Sequence, residues 1–151
     1  MRSLATIVAC VMLFVALARA GQQSASDLKS KADGAQGSER ITLSLDYAHH
    51  ELEHANTLYT EGDVEKAEAS MAEVMTYAQR AAETAVQTNK RLKQTEIDMR
   101  KLQHRMRDIG QSLNIDDRPP VEKAVQEMEQ LRANLLAKMF GDKAEPKEKS
   151  Q

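Results

Sequence analysis

The chain has 151 residues, with 21 basic against 23 acidic side chains, 3% aromatic residues, no tryptophan and one cysteine. One cysteine excludes a disulfide scaffold, and a net charge of −2 argues against a nucleic-acid partner. The apolar content rests on Ala, Leu, Val and Met, a composition that suits helix packing rather than a sheet.

The N-terminus reads Met1-Arg2-Ser3, an apolar run from Leu4 to Leu17, then Ala18-Arg19-Ala20 before Gly21. A positive start, a short apolar centre and small residues at the cleavage positions are the three parts of an export signal, so residues 1–20 are predicted to be a signal peptide. The run is 14 residues long, short of the roughly 20 that span a bilayer as a helix. Ile7-Val8-Ala9-Cys10 has the look of a lipoprotein box, but cutting there would leave Val11 to Leu17 on the mature end. Cleavage after Ala20 removes Arg2, Arg19 and Cys10, taking the net charge from −2 to −4 and leaving no membrane span in the mature chain. No Asn-x-Ser/Thr site occurs, so the expected location is a bacterial periplasm or the medium, exported in either case.

Residues 21–38 are polar, with three glycines and one leucine, and read as a disordered linker. Residues 141–151 read as a disordered tail in the same way. The foldable part is 39–140, a single domain for which the expected class is all-α.

Three helices are predicted there. The first runs from about Glu39 to Glu61, with Ile41, Leu45, Ala48, Leu52, Ala55 and Tyr59 on one face. Gly62 is placed to take a left-handed C-terminal position and Asp63 to cap the next helix, which makes a tight hairpin. The second helix is predicted to be continuous over 63–109, because Val64, Ala67, Met71, Val74, Ala78, Ala81, Ala85, Thr88, Leu92, Thr95, Met99, Leu102, Met106 and Ile109 keep three-four spacing without Gly or Pro. The third starts near Pro119-Pro120 and carries Val121, Ala124, Met128, Leu131 and Leu135. The expected layout is a long central helix with two shorter antiparallel helices packed along its halves, coiled-coil-like throughout.

Charge divides along the chain. Glu39 to Thr88 is acidic, whereas Lys90, Arg91, Lys93, Arg100, Lys101, Arg105 and Arg107 crowd into residues 90–107. Helical pairing with Glu122, Glu127 and Glu129 accounts for such a stretch. The sharper reading is an anionic envelope partner, such as lipid head groups or a cell-wall polymer.

One motif resembles catalytic machinery. His50-Glu51-Leu52-Glu53-His54 matches H-E-x-x-H, whose two imidazoles one turn apart bind zinc while the glutamate activates a metal-bound water. Against it, Leu52 lies in the buried stripe, so His50 and His54 face solvent, about 200° away. A catalytic zinc also needs a third protein ligand, and neither the adjacent His49, the distant His104 nor Glu73 is singled out for that role. The methionines fall on or beside the apolar stripes and read as core filler.

No catalytic, cofactor-binding or metal residue is therefore assigned, and no cofactor is expected. The function expected is that of an exported, non-enzymatic helical interaction or scaffold protein of the bacterial envelope. Its thin core implies a homodimer or another envelope protein as partner. A metal-binding protein built on His50 and His54 is one alternative, and a periplasmic holdase-type chaperone is the other.

Overall fold

The computed structural model describes residues 24–141, and every regular element among them is a helix. The expected signal peptide, the first residues of the expected linker and the tail beyond Gly141 lie outside the described residues. The elements are α1 (24–34), α2 (Gly37–Glu61), α3 (Val64–Thr88), α4 (Leu92–Ser112), a single 3-10 turn (Ile115–Asp117) and α5 (Arg118–Gly141). The all-α class holds, but five helices replace the predicted three. Among the described residues no helix is long and apolar enough to cross a membrane.

The predicted central helix 63–109 is two helices. Asn89 and Arg91 have φ of 52° and 55°, in the left-handed region, and the chain reverses between them. The Asn89 amide donates to the Val86 carbonyl and the Lys90 amide to that of Ala85, the paired bonds that close a helix around a left-handed residue. Gly62 does the same job at the α2–α3 turn, as its position predicts, with φ of 81° and its amide on Tyr59 while the Asp63 amide reaches Leu58. Asn is the commonest substitute for Gly at such a position. The stripe hides the break because a three-residue turn occupies nearly the 3.6 positions of one helical turn, so the spacing resumes in phase. The burial pattern exposes the discontinuity: Ala85 and Thr95 are buried, Thr88 is exposed and Leu92 is half-buried.

The second correction concerns the polar segment 21–38, where residues 24–34 are helical rather than an unstructured tether. Its apolar contribution is slight, with Ala32 fully buried and Leu28 packed against the core. Polar contacts hold it instead. Lys29 Nζ is 2.7 Å from Glu73, and Asp33 accepts hydrogen bonds from Tyr77 and Arg80 of α3. Hydropathy along the chain carries no trace of such partners.

Tyr47 meets Tyr77, Glu53 meets Arg105 and Glu96 meets Arg132, so α2 and α4 run one way while α3 and α5 run the other. The molecule is two antiparallel hairpins, α2–α3 and α4–α5, joined where α3 meets α5 and α2 meets α4. The α2–α3 pair is the more intimate, and its facing residues explain why. Ala48, Ala55, Ala67, Ala78 and Ala81 are fully buried and let the two backbones approach closely. Ile41, Leu52, Leu102, Met106, Ile109, Met128 and Leu135 fill the remainder of one continuous core. Each fully buried aliphatic side chain of this size contributes roughly 1.5–3 kcal/mol.

Two smaller expectations also shift. Asp63 occupies the N-cap position of α3, yet its carboxylate pairs with Lys66 rather than with the helix amides. The helix predicted to end at 109, just before Gly110, runs on to Ser112. Gly110 lies under Val121, whose Cγ1 would sit 3.3 Å from an added Cβ, and the missing side chain allows α4 and α5 to close there.

Candidate functional site

The H-E-x-x-H segment lies in the middle of α2, and its geometry separates the glutamate from the histidines. Glu51 is buried at 7% exposure, while the His50 and His54 side chains are 38% and 52% exposed. The Glu51 carboxylate sits between the two rings, 3.7 Å from Nδ1 of His50 and 3.7 Å from Nδ1 of His54. Ser70 of α3 brings its Oγ to 3.2 Å from that same His54 nitrogen.

A serine, a histidine and an acid within reach of one another invite comparison with a nucleophile relay. The relay requires the hydroxyl and the acid on opposite ring nitrogens, so that a proton accepted on one side is balanced on the other. Here both face Nδ1. Ser70 also lies in the interior of α3, where backbone amides are committed to the helix and offer no oxyanion pocket.

The ligand question has a similar outcome. Among the described residues no three His, Cys, Asp or Glu groups are arranged to hold a metal ion. Glu73 accepts from Lys29 at 2.7 Å and from the Tyr47 hydroxyl at 3.4 Å. His104 is on α4 beside Asp108, with its side chain 78% exposed. His49 is half-buried near Asp98 and Lys101 of α4, and burial lowers its pKa.

Two polar clusters escaped the sequence reading. Where α1 lies against the α2–α3 pair, the Tyr47 ring of α2 and the Tyr77 ring of α3 meet edge to face with centroids 4.5 Å apart, and the Arg80 guanidinium lies 4.5 Å above Tyr77. Hydrogen bonds from Arg80 and then Tyr77 hold the Asp33 carboxyl below its ordinary pKa. Burial, followed by the bond to Asp33, pushes the Tyr77 hydroxyl up to about 12. The other cluster ties α5 to α4. Arg132 donates to Glu96 at 2.7 Å and to the Gln103 amide oxygen, while Gln103 donates to the Val125 carbonyl at 3.2 Å. Burial alone would raise the Glu96 carboxyl, but bonds from Arg132 and Arg100 outweigh it and hold the pKa down. The available signal was Glu96 and Gln103, one heptad apart and beside the apolar stripe of α4.

The basic stretch resolves into paired and unpaired parts. Arg100 meets Glu96, Lys101 meets Asp98, Arg105 meets Glu53 of α2, and Arg107 meets Glu129 of α5. Of the three expected acidic partners on α5, Glu129 takes part, whereas Glu127 pairs with Lys123. Lys90, Arg91 and Lys93 are exposed and have no ion pair or hydrogen bond from their side chains among the described residues. Two grooves mark the surface. One of about 300 Å³ lies between α4 and α5 along Met106, Gly110, Arg118 and Val121. Another of about 270 Å³ lies between α3 and α5 along Ala82, Val86 and Leu131.

No protein family, curated protein or solved structure matches this chain.

Proposed function

We propose that the chain is a non-enzymatic helical interaction module, exported to the bacterial envelope, that acts as a homodimer or against another envelope protein. The observation that carries this reading is the set of contacts made by the catalytic-looking residues. Glu51 lies 3.7 Å from Nδ1 of both His50 and His54, and Ser70 meets His54, contacts that support a reading in which helical faces rather than this motif engage the partner. The groove along Ala82, Val86 and Leu131 supports self-association, because it interrupts the join between the two hairpins with apolar side chains.

Sedimentation of the protein from Gly21 onward tests the reading. A dimer at low micromolar concentration, reduced to monomer by Val86→Glu with helicity unchanged, is the expected result. A folded monomer across that range removes the self-association. Export is tested separately by fusing residues 1–20 to a reporter enzyme that is active only after translocation.

A further inference from the structure

The turns between helices fall at two ends of the molecule, and the ends differ in charge. At one end, near the Gly62 turn and the 3-10 turn, Glu61, Glu65 and Asp116 are exposed. The other end carries the 89–91 turn and the finish of α5. Arg132 is level with Glu96, and at about 1.5 Å per residue α5 continues about 12 Å past that level to residue 140, while α4 extends back about 8 Å to Arg91. Phe140, 59% exposed, therefore stands at the same end as Lys90, Arg91 and Lys93.

These three cations differ from the rest of the basic stretch. The remaining four each face a carboxylate within α4 or on a neighbouring helix, whereas Lys90 and Arg91 lie in the turn and Lys93 in the first turn of α4, which holds no acidic residue. The start of α2 is at this end too, with Glu39 exposed, so three cations without a partner stand there against that one carboxylate and the local balance is positive in a chain that is acidic as a whole. Half-buried Leu92 lies between two of these cations in the sequence, and Phe140 is at the same end.

We infer that this end docks on an anionic phospholipid surface, with Lys90, Arg91 and Lys93 facing the head-group phosphates and Phe140 entering the interface. Exposed cations and an exposed aromatic at one end of the molecule suit a broad charged interface, whereas a discrete soluble anion needs a concave cradle. The inference deepens the interaction-module reading, and it rests on that reading for the premise that an exposed surface engages the partner.

The test is flotation of the full chain with two kinds of vesicle, pure phosphatidylcholine and phosphatidylcholine mixed with phosphatidylglycerol. The neutral vesicles report whatever the apolar N-terminal run contributes, and the difference between the two reports the basic end. Binding is expected to be stronger to the anionic vesicles, to fall with added salt, and to weaken at least about tenfold in Lys90→Glu/Lys93→Glu, since each basic residue near an anionic surface is worth roughly fivefold. Circular dichroism confirms that the variant is folded. Lys66→Glu/Lys123→Glu, which reverses paired cations away from that end, should bind as the parent does. Equal binding to both vesicles, an unaffected Lys90→Glu/Lys93→Glu chain, or an equal loss in the control variant overturns the inference. Calorimetry with inorganic polyphosphate separates the phosphate sources: uptake of polyphosphate without vesicle binding also overturns it. A monomer that still floats with anionic vesicles would remove the dimer of the preceding section and leave this inference standing.

Discussion

Arg132 on α5 holds Glu96 on α4 across the second hairpin, its guanidinium 2.7 Å from a carboxylate whose side chain is 4% exposed. The same guanidinium reaches Gln103, so one side chain satisfies two buried polar groups. Removing Glu96 leaves the Arg132 charge without its carboxylate, while the bond to the Gln103 amide oxygen stays. Glu96→Ala should cost about 3 kcal/mol, the lower end for breaking a buried pair because Arg132 keeps some solvent access. Replacing both partners, as Glu96→Leu with Arg132→Met, removes both desolvated charges but takes the donor from the buried Gln103 amide oxygen, so it should cost about 1–2 kcal/mol, less than Glu96→Ala. Urea denaturation of the parent and the two variants measures the difference.

Acid should weaken the fold through the same pair and two others. Arg105 holds the Glu53 carboxyl below its ordinary pKa and Arg80 holds that of Asp33, as Arg132 and Arg100 do for Glu96 against its burial. A carboxyl lowered in the folded state binds fewer protons there than in the unfolded chain. Its stabilisation is complete above the unfolded pKa of about 4 and is lost as pH falls through the folded value. These carboxyls leave the denaturation midpoint unchanged between about pH 6 and pH 8 and lower it below about pH 4, while His49, whose pKa burial lowers, adds a gentler decline as pH falls through about 6.5. Glu96→Gln should lower stability at neutral pH and make the acid decline shallower.

Asn89 and Arg91 should respond oppositely to conventional helix-strengthening substitutions. Both hold positive φ, which costs a residue with a Cβ roughly 1–2 kcal/mol unless, as for Asn, its short polar side chain tolerates the region. Asn89→Ala should destabilise by about 1 kcal/mol despite alanine's helix propensity, and Asn89→Gly should be neutral or better. Arg91→Gly should raise stability by several tenths of a kcal/mol or more by relieving the left-handed N-cap. If the chain were one straight helix through this point, Asn89→Ala would stabilise it. Thermal melts of the three variants discriminate between the two.

That turn marks the limit of what periodicity can report. The helical class, the Gly62 hairpin and the start of α5 were legible because each depends on residues within a few positions of one another. The reversal at 89–91 left no gap in the stripe, and its single local sign was an asparagine within a polar run. Helix α1 was illegible for another reason: Lys29 and Asp33 find their partners 44 to 47 residues away, on α3. The H-E-x-x-H reading placed the histidines on the outer side of α2 from the phase of Leu52 alone. Glu51 is buried although it stands off the predicted apolar face, and helix phase gave no warning of it.

Zinc titration checks the contacts at that motif. With Glu51 between the rings, Ser70 on His54 and no three-ligand group among the described residues, the chain should take up zinc no more tightly than His50→Ala/His54→Ala. Calorimetry of the two proteins side by side should give superimposable heats. Saturable binding lost in the variant would show that His50 and His54 ligate zinc and would overturn the prediction.

The polar clamp on α1 predicts local rather than global instability. Asp33 joins Tyr77 and Arg80, while Lys29 reaches Glu73 and lies 5.7 Å from the Tyr47 ring, yet α1 inserts little apolar surface beyond Ala32 and Leu28. An element held by a few partly exposed charge pairs opens at lower cost than the core beneath it. Asp33→Ala should therefore abolish amide-exchange protection in residues 24–34 and leave α4 and α5 protected as before. Tyr77→Phe removes one of the two bonds to Asp33 and keeps the ring against Tyr47, so its effect should be smaller, about 1 kcal/mol of local opening. Hydrogen exchange read by mass spectrometry resolves the segments. Loss of protection spread evenly over all five helices would instead make α1 part of one cooperative unit, with Asp33 as important to the core as Glu96.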